Sequence, residues 1–308
     1  FVPNLDVGSH VVSASVGKAT AKTTLTPPTI ANTKIAFSSD RNGNYDIYVM
    51  NADGTGQTGL TNDPAEDRQP SWSPNGRKIA FSSDRNGNHD IYVMNADGTG
   101  QTVITNTEAN ESEPSWSPDG KKIAFSSDRN GRSDIYVMNV DGTGVTRLTD
   151  NNAVDESPSW LPNGKKIAYR HVAYGSADSS ICEINPDGIA PRYPRCKSFG
   201  GFSPSWSPDG TKVAFIALGK PQYSGIGTFI PFDIFVRTDK TQQNITSNND
   251  RESDPSWSPD GRKIVFSARG VINNDEIWVL TLDGTAPTTL LTRNSASDRD
   301  PSWSPFIR

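Results

Sequence analysis

Residues 67–100, DRQPSWSPNGRKIAFSSDRNGNHDIYVMNADGTG, return almost unchanged at residues 111–144 as ESEPSWSPDGKKIAFSSDRNGRSDIYVMNVDGTG. An internal period is read before anything else, because missing it misreads the whole fold. The core PSW(S/L)P recurs at Pro70, Pro114, Pro158, Pro204, Pro255 and Pro301, at spacings of 44, 44, 46, 51 and 46 residues. Within a unit, PNG or PDG makes a tight turn, with Gly where φ is positive. KKIAFSS alternates like a strand, DRNG turns, DIYVMN is a second aromatic and β-branched strand, and ADGTG turns again. A short segment such as TRLTD at residues 146–150 supplies a fourth strand. No window carries the apolar i, i+3, i+4 spacing of a helical solenoid. The fold class is therefore all-β, and four short antiparallel strands per unit make the blade of a β-propeller.

The ends count the blades. The first unit opens at Lys34 with no PSWSP before it, and the last PSWSP, Pro301–Pro305, has no strands after it. The two fragments complement each other: the C-terminal strand supplies the inner strand of the blade begun at Lys34, closing a six-bladed ring with no free edge. The unit PSWSPDGxKIAFSSDRxGxxDIYVMNADG resembles the WD40-like PD40 repeat of TolB-type six-bladed propellers over residues 31–308. That resemblance implies a secreted or periplasmic bacterial protein whose propeller binds other molecules, and it does not of itself imply an enzyme.

Residues 1–30 stand outside the ring as a short β arm or the remnant of an upstream Ig-like module, with alternating strands around Gly17 and a Pro27-Pro28 linker. The other reading of this arm is self-association, by pairing with a neighbouring subunit in an extracellular assembly. A chain that opens on Phe1 reads as a mature or excised product. With 30 Lys and Arg against 35 Asp and Glu, and no basic run, a nucleic-acid footprint is not expected. No apolar run approaches the roughly 18 residues of a membrane span.

The chain has two cysteines, Cys182 and Cys196. They flank a hairpin turning at Pro186-Asp187-Gly188, so a cross-strand disulfide and an oxidising compartment are expected, the alternative being two buried free thiols. Neither a CxxC motif nor grouped histidines points to zinc: His10, His89 and His171 stand apart.

Alignment of the six copies puts Asp67, Glu111, Asp155, Gly201, Glu252 and Asp298 three residues ahead of the first Pro, and Gln69, Glu113, Ser157, Ser203, Asp254 and Asp300 one residue ahead. Strand alternation gives both sets one face and predicts an acidic collar at one channel mouth. The DRNG loops ring the same mouth, bringing Arg41, Arg85 and Arg129. Three outcomes are open. The arginines, with Arg68 and Arg299, neutralise the collar and tie the blades together; or the all-oxygen collar of Asp67, Glu111, Asp155, Glu252 and Asp298 binds Ca2+ or Mg2+; or it receives a cationic peptide or protein partner.

Tyr223, Phe229 and Phe232, in the insertion of the fifth blade, are candidate contact residues. The six motif tryptophans read as inter-blade packing. An alternative function, a carbohydrate-active lyase or hydrolase on the same face, would use His171, Arg170 and Tyr174, where the fourth copy departs from the repeat.

Overall fold

The computed structural model describes residues 10–16, 19–25, 29–176, 178–187, 195–197, 200–224, 227–247, 251–269 and 274–306, with the backbone alone for 10–16, 19–25, 195, 197, 222–224 and 227–229. Six four-stranded antiparallel sheets follow one another, and each inner strand packs beside the next. Blade two runs Asp67–Trp72, Lys78–Ser83, Asp90–Asn95 and Thr102–Val103. Blade three repeats it as Glu111–Trp116, Lys122–Ser127, Asp134–Asn139 and Thr146–Arg147. Blade four is Val154–Trp160, Ile167–Val172, Ser179–Ile184 and Arg195–Lys197. Blade five is Phe202–Trp206, Val213–Leu218, Phe232–Arg237 and Gln242–Asn244, and a small hairpin, Gln222–Ser224 with Gly227–Phe229, fills its insertion. Blade six is Glu252–Trp257, Lys263–Arg269, Asp275–Thr281 and Thr289–Leu290.

Blade one combines both ends of the ring: Asp298–Trp303 is the inner strand of Lys34–Ser39, Asp46–Asn51 and Thr58–Gly59. The closure predicted from the complementary fragments is therefore present. It is fastened by the Trp303 indole, which donates to the Thr33 hydroxyl at 2.9 Å. Outside the ring, His10–Val16 pairs antiparallel with Ala19–Leu25.

The blades are held apart by their cores. Second- and third-strand aromatics pair within a blade, Phe81 with Tyr92 at 5.6 Å and Phe125 with Tyr136 at 5.7 Å. The motif tryptophans lie between blades: Trp116 donates to the Ser71 carbonyl and Trp257 to the Ser205 carbonyl, both at 3.1 Å. Glycine is required where the ADG turn meets the preceding blade: Gly98 has φ +87°, and a Cβ there would lie 2.7 Å from the Leu60 carbonyl oxygen.

In blade four the cross-strand neighbours Cys182 and Cys196 form a disulfide. The bridge links the third strand to an outer strand of three residues, where backbone pairing is short. Closing a loop of this length contributes about 3 kcal/mol in the chain-entropy picture. The double variant Cys182→Ala/Cys196→Ala is expected to lose stability of that order with the propeller retained, read by urea unfolding of the oxidised protein and the variant. An unchanged midpoint would make the bridge incidental to stability.

Candidate functional site

The loops between second and third strands, together with those entering each inner strand, gather at one mouth of the channel. Asp40, Asp84 and Asp128 lash these two loop sets together: their carboxylates accept the backbone N–H groups of Ser297, Glu66 and Asn110 at 2.7–2.8 Å.

The arginine after each of these aspartates faces inward. Arg85 gives Nε to the Ser83 hydroxyl at 2.9 Å, Nη1 to Gln101 at 2.8 Å, and Nη2 to both oxygens of Asp67 at 2.9 and 2.8 Å. Its guanidinium also lies 4.6 Å from the Tyr92 ring centroid. One side chain thus touches three strands of its blade and the residue that leads into the fourth. Arg41 does the same with Ser39, Gln57, Asp298 and Tyr48, and Arg129 joins Ser127, Glu111 and Tyr136, with Val145 standing where the other two blades have the glutamine. In blade four His171 replaces the guanidinium, with Nδ1 2.7 Å from Asp155 Oδ1. In blade six Glu252 accepts the Thr246 hydroxyl at 2.7 Å.

Asp67, Glu111, Asp155 and Asp298 are wholly buried, and Glu252 is 2 % exposed. In blades one to three the collar carboxylates and the loop arginines are therefore brought together in pairs inside the blade. Among the described residues no group of three or more His, Cys, Asp or Glu is arranged to hold a metal ion. A buried carboxylate stripped of its cation is costly, by about 3–5 kcal/mol. Arg85→Met should lower unfolding free energy by that order, whereas a surface change such as Lys121→Met should leave it nearly unchanged; equal urea midpoints for the two variants would refute the staple.

The residue immediately before each first Pro does something alternation does not foresee. Gln69, Glu113, Ser157, Ser203, Asp254 and Asp300 all have positive φ, between 49° and 56°. Each inner strand carries a bulge here, with register breaking between Arg68 and Ser71 and at the corresponding places in the other blades. The bulge turns this residue away from the face of its neighbour two positions earlier, so the two predicted sets do not share a face. It also hands a backbone N–H across to the adjoining blade. Gln69 N–H donates to Asp300 at 3.3 Å, Glu113 N–H to Gln69 at 3.0 Å, and Ser157 N–H to Glu113 at 2.6 Å.

Two members of this tier, Asp254 and Asp300, are neighbouring acids. Desolvation, then the Asp300 charge, pushes the Asp254 carboxyl up from 3.8 to about 7; desolvation also raises Asp300. Folded Asp254 keeps its proton to pH about 7, whereas an unfolded aspartate loses it near 3.8. The stability this contributes is full below the lower value and is lost as pH rises through the upper one. Asp254→Asn, which cannot ionise, should match the wild-type melting temperature near pH ~4 and exceed it near pH ~7.5. Parallel melting curves across that range would show that Asp254 is ionised throughout.

Around the rim, arginines lie against aromatic rings of adjoining blades: Arg68 at 3.9 Å from Tyr45, Arg132 at 5.0 Å from Tyr174, Arg170 at 6.0 Å from Phe202 and Arg251 at 5.2 Å from Phe232. Phe202 and Phe232 meet edge to face at 5.3 Å. Arg170 also pairs with Glu156 at 2.7 Å, Arg299 with Asp275, and Arg68 with Glu66. Tyr174 is 70 % exposed, Leu218 59 % and Ile230 45 %. Of the insertion candidates, Phe232 is half-buried at the start of a strand; Tyr223 and Phe229 occupy the small hairpin, their side chains outside the described residues. Ile230 belongs to the apolar cluster that the sequence offered in this insertion, whereas Arg132 and Arg251 were not singled out there; their only signal was departure from the repeat.

No curated protein sequence matches the chain. Among solved structures it is similar to TolB from Acinetobacter baumannii, with 23% identity over 90% of this chain and 68% of that one and a TM-score of 0.75. A putative TolB from Agrobacterium tumefaciens follows at 20% identity, 85% and 88% coverage, and a TM-score of 0.63. An oligogalacturonate lyase from Vibrio parahaemolyticus shares 14% identity over 91% and 98% of the two chains, with a TM-score of 0.54. At these identities the likeness establishes the fold. The family model for the TolB beta propeller domain matches residues 1–100 and 84–215, more than half of the 308 residues, and the chain belongs to that family.

Proposed function

We propose that the protein is a non-catalytic binding propeller of an extracellular or periplasmic compartment, which holds a protein or peptide partner against the channel mouth. The observation that carries this reading is the rim of blades three to six. The repeated charges of the mouth are consumed in blade staples, while Tyr174, Leu218 and Ile230 stay exposed beside Arg132 and Arg251. Tyr and Arg surrounding apolar residues is the composition of binding hot spots. Such a rim suits an extended segment with apolar anchors and acidic flanks. The disulfide supports an oxidising location.

A second reading has a specific observation behind it. The Asp155–His171 contact at 2.7 Å, next to Arg170, has the form of an oriented imidazole, and it motivates a carbohydrate-active lyase at blade four. The pairing of Arg170 with Glu156 counts against it, because a lyase needs that cation for the substrate carboxylate.

The two readings part in experiment. A partner recovered by cross-linked pull-down with the wild-type chain should bind at least about tenfold more weakly to Tyr174→Ala/Ile230→Asp, a loss of ~1.4 kcal/mol, by calorimetry. Undiminished affinity would remove the rim from the interface. Turnover of a polysaccharide by the wild type, abolished in His171→Ala, would favour the lyase instead.

A further inference from the structure

Six blade interfaces are built from equivalent positions, and the strand registers define them. One is the third-strand residue opposite the second-strand Ala or Val, which faces the next blade. The other is the residue near the end of that next blade's third strand, opposite its Ile or Val. At five interfaces the pair is apolar: Val49 with Met94, Val93 with Met138, Val137 with Ile184, Val236 with Leu280, and Val279 with Met50. Each of these pairs packs in one cluster with the intervening motif tryptophan. Between blades four and five the same two positions hold Glu183 and Arg237.

Two charged side chains there cannot close the seam as Val and Met do, and a cavity of about 190 Å³ opens, lined by Glu183, Arg237, Trp206, Ile181, Val213 and Thr238. Thr211 and Asp239 stand at its edge. Five of the motif tryptophans are buried, but Trp206 is half-buried; its indole Nε1, like those of Trp72 and Trp160, has no acceptor among the described residues. The cavity lies where inner strands end and second strands begin, on the face opposite the loop-rich mouth.

We infer that this cavity is a binding site for a single neutral pyranose ring. Its volume corresponds to about six waters at ~30 Å³ each, which suits one sugar ring and is too small for an extended ligand. Trp206 offers an apolar platform for the C–H face of the ring. The carboxylate of Glu183 accepts, and the guanidinium of Arg237 donates, in planar pairs matched to neighbouring hydroxyls. Signs are balanced: Lys166 Nζ stands 2.7 Å from Glu183, and the lining holds one further acid, Asp239, beside the one further base, Arg237. A neutral polyhydroxylated ligand therefore fits better than an anion or a cation. The site is independent of the mouth and of what binds there.

The test follows from the repeat itself. Glu183→Val/Arg237→Met restores the pair found at the other interfaces, and replacing such charges by matched apolar groups is neutral or stabilising. Saturation-transfer NMR with the methyl pyranosides of glucose, galactose, mannose and N-acetylglucosamine should give a saturable signal with at least one of them for the wild type and for Tyr174→Ala. The signal should fall by about tenfold or more in the restored variant, whose melting temperature should equal or exceed that of the wild type. If that variant melts lower, Thr238→Val/Asp239→Asn at the cavity edge provides the second reading of the same loss. No saturable signal from any of the four sugars, or a signal that survives the substitutions, overturns the assignment.

Discussion

Six sheets close around a channel only if every inner strand turns inward at the same depth. Here the turn is made by one left-handed residue ahead of a proline in each blade. Such a conformation costs energy for any residue with a Cβ, and in blades two, three and four the ring compensates by giving the reoriented N–H an acceptor in the adjoining blade. The strain and the inter-blade hydrogen bond are one device. Once it fixes the inner strand, the acid two residues earlier is driven into the blade, and a buried acid demands a cation. In blades one to three the arginine of DRNG meets that demand and, in doing so, holds the inner, second and third strands together.

This division of labour separates the regular blades from the irregular ones. Blades one to three spend their charges internally, so the sequence that looks richest in chemistry is the most fully satisfied. Blades four and five depart from the repeat at the mouth, at the disulfide and at the seam on the opposite face. Loops and seams that need not serve the lattice of the ring are the places left for recognition.

The propeller, its blade count and its closure were legible because turn glycines and strand periodicity recur with the blade. The chemistry of the collar was less so. Alternation places Asp67 and Gln69 on one face, and it fails there because a bulge inserts a residue without changing the amino-acid pattern; the polar residue before proline in all six copies was the only trace. Nor did spacing reveal that Asp67 pairs with Arg85 within one blade, since the contact follows from the depth of the inner strand. Glu183 and Arg237 were obscured by insertions that break the visual alignment of the fourth and fifth copies, and they become comparable with Val49 and Met94 only through strand register.

The closure of blade one has a kinetic consequence. Its inner strand, Asp298–Trp303, pairs with Lys34–Ser39 across nearly the whole chain, whereas pairing within the other blades is local. During synthesis blades two to six can form as their strands emerge, while Lys34–Ser39 must wait with one edge uncovered until the last strand arrives. Loop-closure entropy grows slowly with length, so the final step is tolerable once the intervening blades have shortened the effective loop. Until then that waiting edge is the segment a chaperone would have most reason to shield.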